Sequence, residues 1–121
     1  MDGGKLIAAN DTETFFAELA ERGHEPLLAK AKGTLRFELR RGKLTDRWLV
    51  VIDKGDVSVS RRNAPADVTL RTTRELFDGL ASGEVNTMAA VLRGAVEFEG
   101  DPELLVHLQR LFPGPPAQGK R

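Results

Sequence analysis

Leu35-Arg36-Phe37-Glu38-Leu39-Arg40 decides how this chain is read, because apolar and charged side chains alternate along it with a period of two. A strand turns successive side chains to opposite faces, so the segment predicts one dry face and one wet face. Arg41-Gly42-Lys43 then reads as a turn. Trp48-Leu49-Val50-Val51-Ile52 reads as a second strand, apolar throughout and therefore covered on both faces or central in its sheet. Asp53-Lys54-Gly55-Asp56 predicts a tight turn whose glycine is free to take a positive φ. Val57 and Val59 alternate with Ser58 and Ser60. After a turn at Asn63-Ala64-Pro65, Val68 and Leu70 alternate with Thr69 and Arg71. Four short strands joined by short turns predict an antiparallel meander.

Helical spacing brackets this meander. Asn10 with Glu13 forms a capping-box pattern ahead of a helix from about Asp11 to Arg22, with Phe15, Phe16 and Leu19 on one face and Gly23 at its end. Pro26 to Lys32 reads as a short helical turn. Thr72 with Glu75 repeats the capping pattern before Leu76, Phe77 and Leu80, and Gly83 stops that helix. Asn86 caps a short helix carrying Met88, Val91 and Leu92, ended by Gly94. Val96 and Phe98 alternate with Glu97 and Glu99 in a fifth strand. Asp101-Pro102-Glu103 is a helix start, with a cap, a proline at the first helical position and an acid at the positive dipole end. Leu104, Leu105, Leu108, Leu111 and Phe112 form the stripe of that last helix.

The predicted fold class is α+β: a five-stranded, mostly antiparallel sheet with helices packed on one face. Arg36, Arg40, Ser58, Ser60, Thr69 and Arg71 make the other face polar. One domain is expected over residues 1–112, with a flexible Pro/Gly-rich tail over 113–121.

Composition narrows the chemistry. The chain has no cysteine, so disulfides, thiolate nucleophiles and cysteine metal sites are excluded. It has no tyrosine. Its serines, Ser58, Ser60 and Ser82, lie outside any nucleophile-elbow pattern. His24 and His107 have no partner at metal-ligand spacing, and both read as structural. No phosphate-binding glycine loop occurs. The aromatics Phe37 and Trp48 read as core, which argues against nucleic-acid binding. No catalytic residue, metal or cofactor is expected. No apolar run approaches the roughly 18 residues that span a bilayer, and Met1-Asp2-Gly3-Gly4-Lys5 lacks a secretory pattern. The expected location is cytoplasmic. Charge is uneven: from Lys30 to Arg74, twelve Lys and Arg face five Asp and Glu, an excess of seven. A basic middle suits transient contact with an anionic head group or membrane surface; the plainer reading is strands that turn Arg outward.

Five runs in order carry a resemblance. They are Trp48-Leu49-Val50-Val51-Ile52-Asp53-Lys54-Gly55-Asp56-Val57-Ser58-Val59, then Ala66-Asp67-Val68-Thr69-Leu70, then Phe77-Asp78-Gly79-Leu80-Ala81-Ser82-Gly83, then Met88-Ala89-Ala90-Val91-Leu92-Arg93-Gly94-Ala95-Val96-Glu97-Phe98-Glu99-Gly100-Asp101, and finally Leu108-Gln109-Arg110-Leu111-Phe112. In order and spacing, from roughly Gly33 to Phe112, the chain resembles the sterol carrier protein 2 sterol-binding domain family. That resemblance implies a non-catalytic carrier module with an apolar pocket between sheet and helices. The ligand would be a sterol, a fatty acid, a fatty acyl-CoA or another apolar small molecule. It implies that Phe77, Leu80, Met88, Val91, Leu92, Phe98, Leu105, Leu108 and Phe112 line the pocket, against the alternative that each fills a closed core. Arg93, near a helix–strand junction, is the candidate anchor for an acidic head group. The ending Gly119-Lys120-Arg121 differs from the peroxisomal signal of well-known members, and the Arg- and Ala-rich bias suits a bacterial protein. A protein-interaction or homodimerisation module with a solid core and no physiological ligand is the other reading.

Overall fold

The computed structural model describes residues 11–112. The expected Asn10 cap and the tail from Pro113 onward lie outside them. Along the chain run α1 (Asp11–Arg22), a 3-10 turn (Pro26–Leu28), β1 (Lys32–Arg41), β2 (Leu44–Asp53), β3 (Asp56–Ser60) and β4 (Val68–Thr73). Then follow α2 (Arg74–Ser82), α3 (Thr87–Leu92), β5 (Glu97–Gly100), α4 (Pro102–Leu108) and a closing 3-10 turn (Gln109–Leu111).

The strands form one sheet in the order β3-β2-β1-β4-β5. β1, β2 and β3 pair antiparallel, as the alternation and the turns require. The expected four-stranded meander stops there. β4 does not follow β3; it lies parallel to β1, and β5 pairs antiparallel on its outer side. Alternation fixes which face a side chain takes, and it leaves the neighbouring strand open. The neighbour is set by residues 61–67, which carry the chain across. Arg36 donates to the Ala64 carbonyl of this segment at 3.1 Å. Asp67 grips Thr34 twice, its amide donating to the Thr34 carbonyl and its carboxylate accepting the Thr34 N–H, both at 2.9 Å.

Register then sorts the two faces. Trp48, Phe37, Leu70 and Phe98 stand side by side in one row, and Val59, Val50, Leu35 and Val68 in the next. These rows face the helices. On the other face Glu38 sits directly opposite Arg47 and Arg71. It meets Arg71 at 2.9 Å, Arg36 at 3.2 Å and Arg47 at 3.7 Å. β2 is only partly covered on this face: Leu49, in register with Arg36, is buried, while Val51 is 40% exposed.

The caps follow from short polar side chains. Asn86 accepts from the Ala89 N–H and Asp101 from the Glu103 N–H, as expected. For α2 the cap is Thr73, not Thr72: the Thr73 hydroxyl accepts from the Leu76 N–H. Thr72 is buried, and its hydroxyl donates to the Ala95 carbonyl at 2.9 Å. At one end of the sheet Asp46 closes the sandwich. Arg41 reaches it at 3.1 Å from β1, Arg74 at 2.7 Å from α2, and Arg61 at 4.0 Å from beyond β3. The hydrogen bond from Arg41, joined by that from Arg74 against partial burial, holds the Asp46 carboxyl below the usual carboxylate range.

Two predictions arise here. Gly100 has φ +123, and a Cβ there would lie 2.1 Å from the Asp67 carbonyl oxygen. Gly94 has φ +81 with open space around it. Urea unfolding will show Gly100→Ala losing about 3 kcal/mol or more, against about 1 kcal/mol for Gly94→Ala. Equal losses would refute the steric account. For Asp46, a depressed folded-state pKa gives stability that is present above the unfolded value of about 3.9 and lost as pH falls through the folded value. The stability gap between wild type and Asp46→Asn will therefore stay level from pH 7 to 5 and shrink below about pH 4.

Candidate functional site

The space between helices and sheet is organised by aromatic rings. Phe16 of α1 lies stacked between Trp48 of β2, at 4.6 Å, and Phe77 of α2, at 5.4 Å. Phe37 of β1 meets both Phe16 and Phe77 edge-on, at 5.1 and 5.7 Å. Phe15 stacks on Phe112 at 4.7 Å, and Phe112 meets Phe77 edge-on at 5.5 Å. Offset stacks and edge contacts at these separations are the favourable geometries for aromatic pairs.

The residues expected to line a pocket divide three ways. Phe77, Leu80, Leu105, Leu108 and Phe112 are buried within one continuous core. Met88, Val91 and Phe98 are half-buried against it. Leu92 is 81% exposed and turns away from the layer, which corrects its expected place. α3 is six residues long and buries Thr87 and Ala90, so Leu92, two positions past Ala90, points to solvent. Arg93 is exposed at the end of the same helix. The clearest surface clefts among the described residues are not walled by any of the nine.

The most apolar of these clefts holds about 310 Å³ between α1 and β3. Phe16, Ala17, Ala20, Trp48 and Val59 wall it, with Glu13, Ser60 and Arg61 at its rim. It exists because α1 presents alanines at 17 and 20, one turn apart, where larger side chains would reach the strand. Arg61 lies over the Trp48 ring with its guanidinium carbon 4.0 Å from the centroid, and its Nε donates to the Arg47 carbonyl. The sequence reading missed Arg61. The signal was present: the two-residue turn at Lys54-Gly55 fixes the hairpin register, and counting along it sets residue 61 beside 48.

The histidines do not build a catalytic site. His24 meets Asp56 at 2.8 Å on the surface, beside the β2–β3 turn. His107 lies on α4, and its Nδ1 is enclosed without a hydrogen-bond partner among the described residues. No group of three metal-ligating side chains comes together among the described residues. No helix among them is long and apolar enough to cross a membrane.

With this geometry in view, the fold is similar to several solved structures. The sterol carrier protein domain 2 of Helicoverpa armigera superposes with a TM-score of 0.69 at 24% identity, over 84% of each chain. Sterol carrier protein 2 of Aedes aegypti, solved in complex with palmitate, gives a TM-score of 0.64 at 18% identity, over 83% of this chain and 92% of that one. The stereoselective inverting sec-alkylsulfatase of a Pseudomonas species gives 0.67 at 23% identity over 85% of this chain. The chain spans only 16% of that sulfatase. At such identities the likeness establishes the fold alone. No curated protein sequence matches. The SCP-2 sterol transfer family matches residues 13–113, most of the molecule, and the chain belongs to that family.

Proposed function

We propose that the protein is a non-catalytic, cytoplasmic carrier domain that binds a fatty acid or similar single-chain lipid in the apolar layer between helices and sheet. The observation that carries this reading is the family match over residues 13–113. The fold supports it, since the similar Aedes aegypti protein holds palmitate. Phe77, Leu80, Met88, Val91, Phe98, Leu105, Leu108 and Phe112 are the proposed contacts; Leu92 is withdrawn. A ligand enters this layer by parting buried side chains such as Phe77, Leu80 and Leu108. Transient contact with an anionic membrane is part of the proposal. Arg40 and Lys43 flank the β1–β2 turn beside Leu44, which is 58% exposed, and such a tip suits an anionic surface.

Protein purified from cells should carry lipid in native mass spectrometry. After delipidation it should bind palmitate at micromolar concentration. Met88→Arg places a charge at a half-buried position and should weaken binding by roughly tenfold or more, about 1.4 kcal/mol. The same change at exposed Leu92 should leave binding unaltered. Absence of both co-purified lipid and palmitate binding would return the chain to the reading of a solid-core interaction module.

A further inference from the structure

We propose that the cleft between α1 and β3 is the doorway through which a single-chain anionic amphipath reaches the apolar layer, with Arg61 holding its acid group. The inference rests on the carrier reading and adds the route and the head-group contact. The cleft of about 310 Å³ is at the small end of the range for ligand sites. Its floor is Phe16 and Trp48, and Phe16 stacks on Phe77 on its inner side. One ring therefore separates the cleft from the proposed contacts. The other clear clefts are walled mainly by charged, hydroxyl and loop residues, and none of them touches this aromatic group.

The charge at the rim selects the head group. The rim carries Glu13 and Arg61, and Glu13 is paired from behind with Arg74 at 3.4 Å, which leaves Arg61 as the cation facing the cleft. Arg41 and Arg74 hold Asp46 at 3.1 and 2.7 Å, and Arg74 also reaches Glu13 at 3.4 Å. Arg61 comes no closer to Asp46 than 4.0 Å, and its side chain is 57% exposed. It is the loosely paired cation of the group. Its stack on Trp48 fixes the guanidinium at the cleft mouth, where a carboxylate accepts from its free N–H groups while an alkyl tail lies along Ala17, Ala20 and Val59.

The chain has one tryptophan and no tyrosine, so its ultraviolet emission reports on Trp48 directly. Delipidated full-length protein is titrated with dodecanoate and with dodecanol, following that emission and counting bound molecules by native mass spectrometry. Dodecanoate should shift the emission and bind roughly tenfold more tightly than dodecanol, the size expected for one charge-assisted contact. Arg61→Gln should erase that preference and leave dodecanol affinity unchanged. Ala20→Phe should fill the cleft and weaken both ligands. Both positions are exposed, and urea unfolding checks that the variants fold. Dodecanoate bound with unchanged emission, and unweakened by Ala20→Phe, would overturn the doorway and leave the carrier reading standing. No bound amphipath of either kind would overturn the carrier reading itself.

Discussion

The contact on which the rest of the structure depends is Phe16 held between Trp48 and Phe77. It joins α1 to β2 on one side and to α2 on the other. α1 buries only Thr12, Phe16 and Leu19, so its attachment has few other sources. One of these is Thr12, whose amide and hydroxyl both donate to Asp78 of α2. Burying two large apolar side chains is worth roughly 3–6 kcal/mol in total, a large share of what holds a helix of this length in place. If the stack parts, the helix that roofs β2 and β3 loses its main anchor. The same ring is the partition between the surface cleft and the interior, so stability and access share one interaction.

The fold was legible in the sequence wherever a periodic pattern met a local turn or cap. Leu35, Phe37 and Leu39 face the core because a pleated strand leaves them no alternative. Asp101-Pro102 starts a helix because a carboxylate and a fixed φ suit that position. Three features were not legible, each for a physical reason. β4 pairs with β1 because Asp67 and Ala64 grip β1 across a loop, and such gripping leaves no periodic trace. The choice between Thr72 and Thr73 as a cap rests on which of two adjacent hydroxyls is buried. Leu92 read as lining because Met88, Val91 and Leu92 suit one helical face. A helix of six residues has too few turns to test that spacing, and only Thr87 and Ala90 are buried. The interior candidates were placed correctly as apolar packing, but nothing in their order says whether they enclose space.

The basic middle of the chain looks different once folded. Six of its twelve basic residues are gathered around two acids on opposite faces of the sheet. Glu38 gathers Arg36, Arg47 and Arg71 on the polar face. Asp46 gathers Arg41, Arg61 and Arg74 beside the aromatic layer. Each carboxylate lies on a strand and is surrounded by cations from its neighbours, so charge works here as lateral bracing between strands. Cross-strand pairs of this kind contribute modestly one at a time and more as networks. Arg61, 4.0 Å from Asp46, is the most loosely held of the six.

A closed apolar layer and a carrier role are compatible only within limits set by magnitude. The fourteen methylenes and terminal methyl of a C16 fatty acid gain about 12 kcal/mol on leaving water. A layer open one part in a hundred weakens apparent affinity about a hundredfold, or ~2.7 kcal/mol. Association itself costs about 4 kcal/mol or more. The margin left to a long chain is then about 5 kcal/mol, and a charge-assisted contact at the head group adds about 1.5–3 kcal/mol. Six methylenes gain only about 5 kcal/mol, less than the same two costs together. A layer whose rings must part for entry would act as a length filter, because a short tail cannot offset the rings it must separate. It also makes release feasible: when the tail leaves, Phe16 closes on Trp48 and Phe77 again, and that regained contact offsets part of the cost of returning the lipid to a membrane.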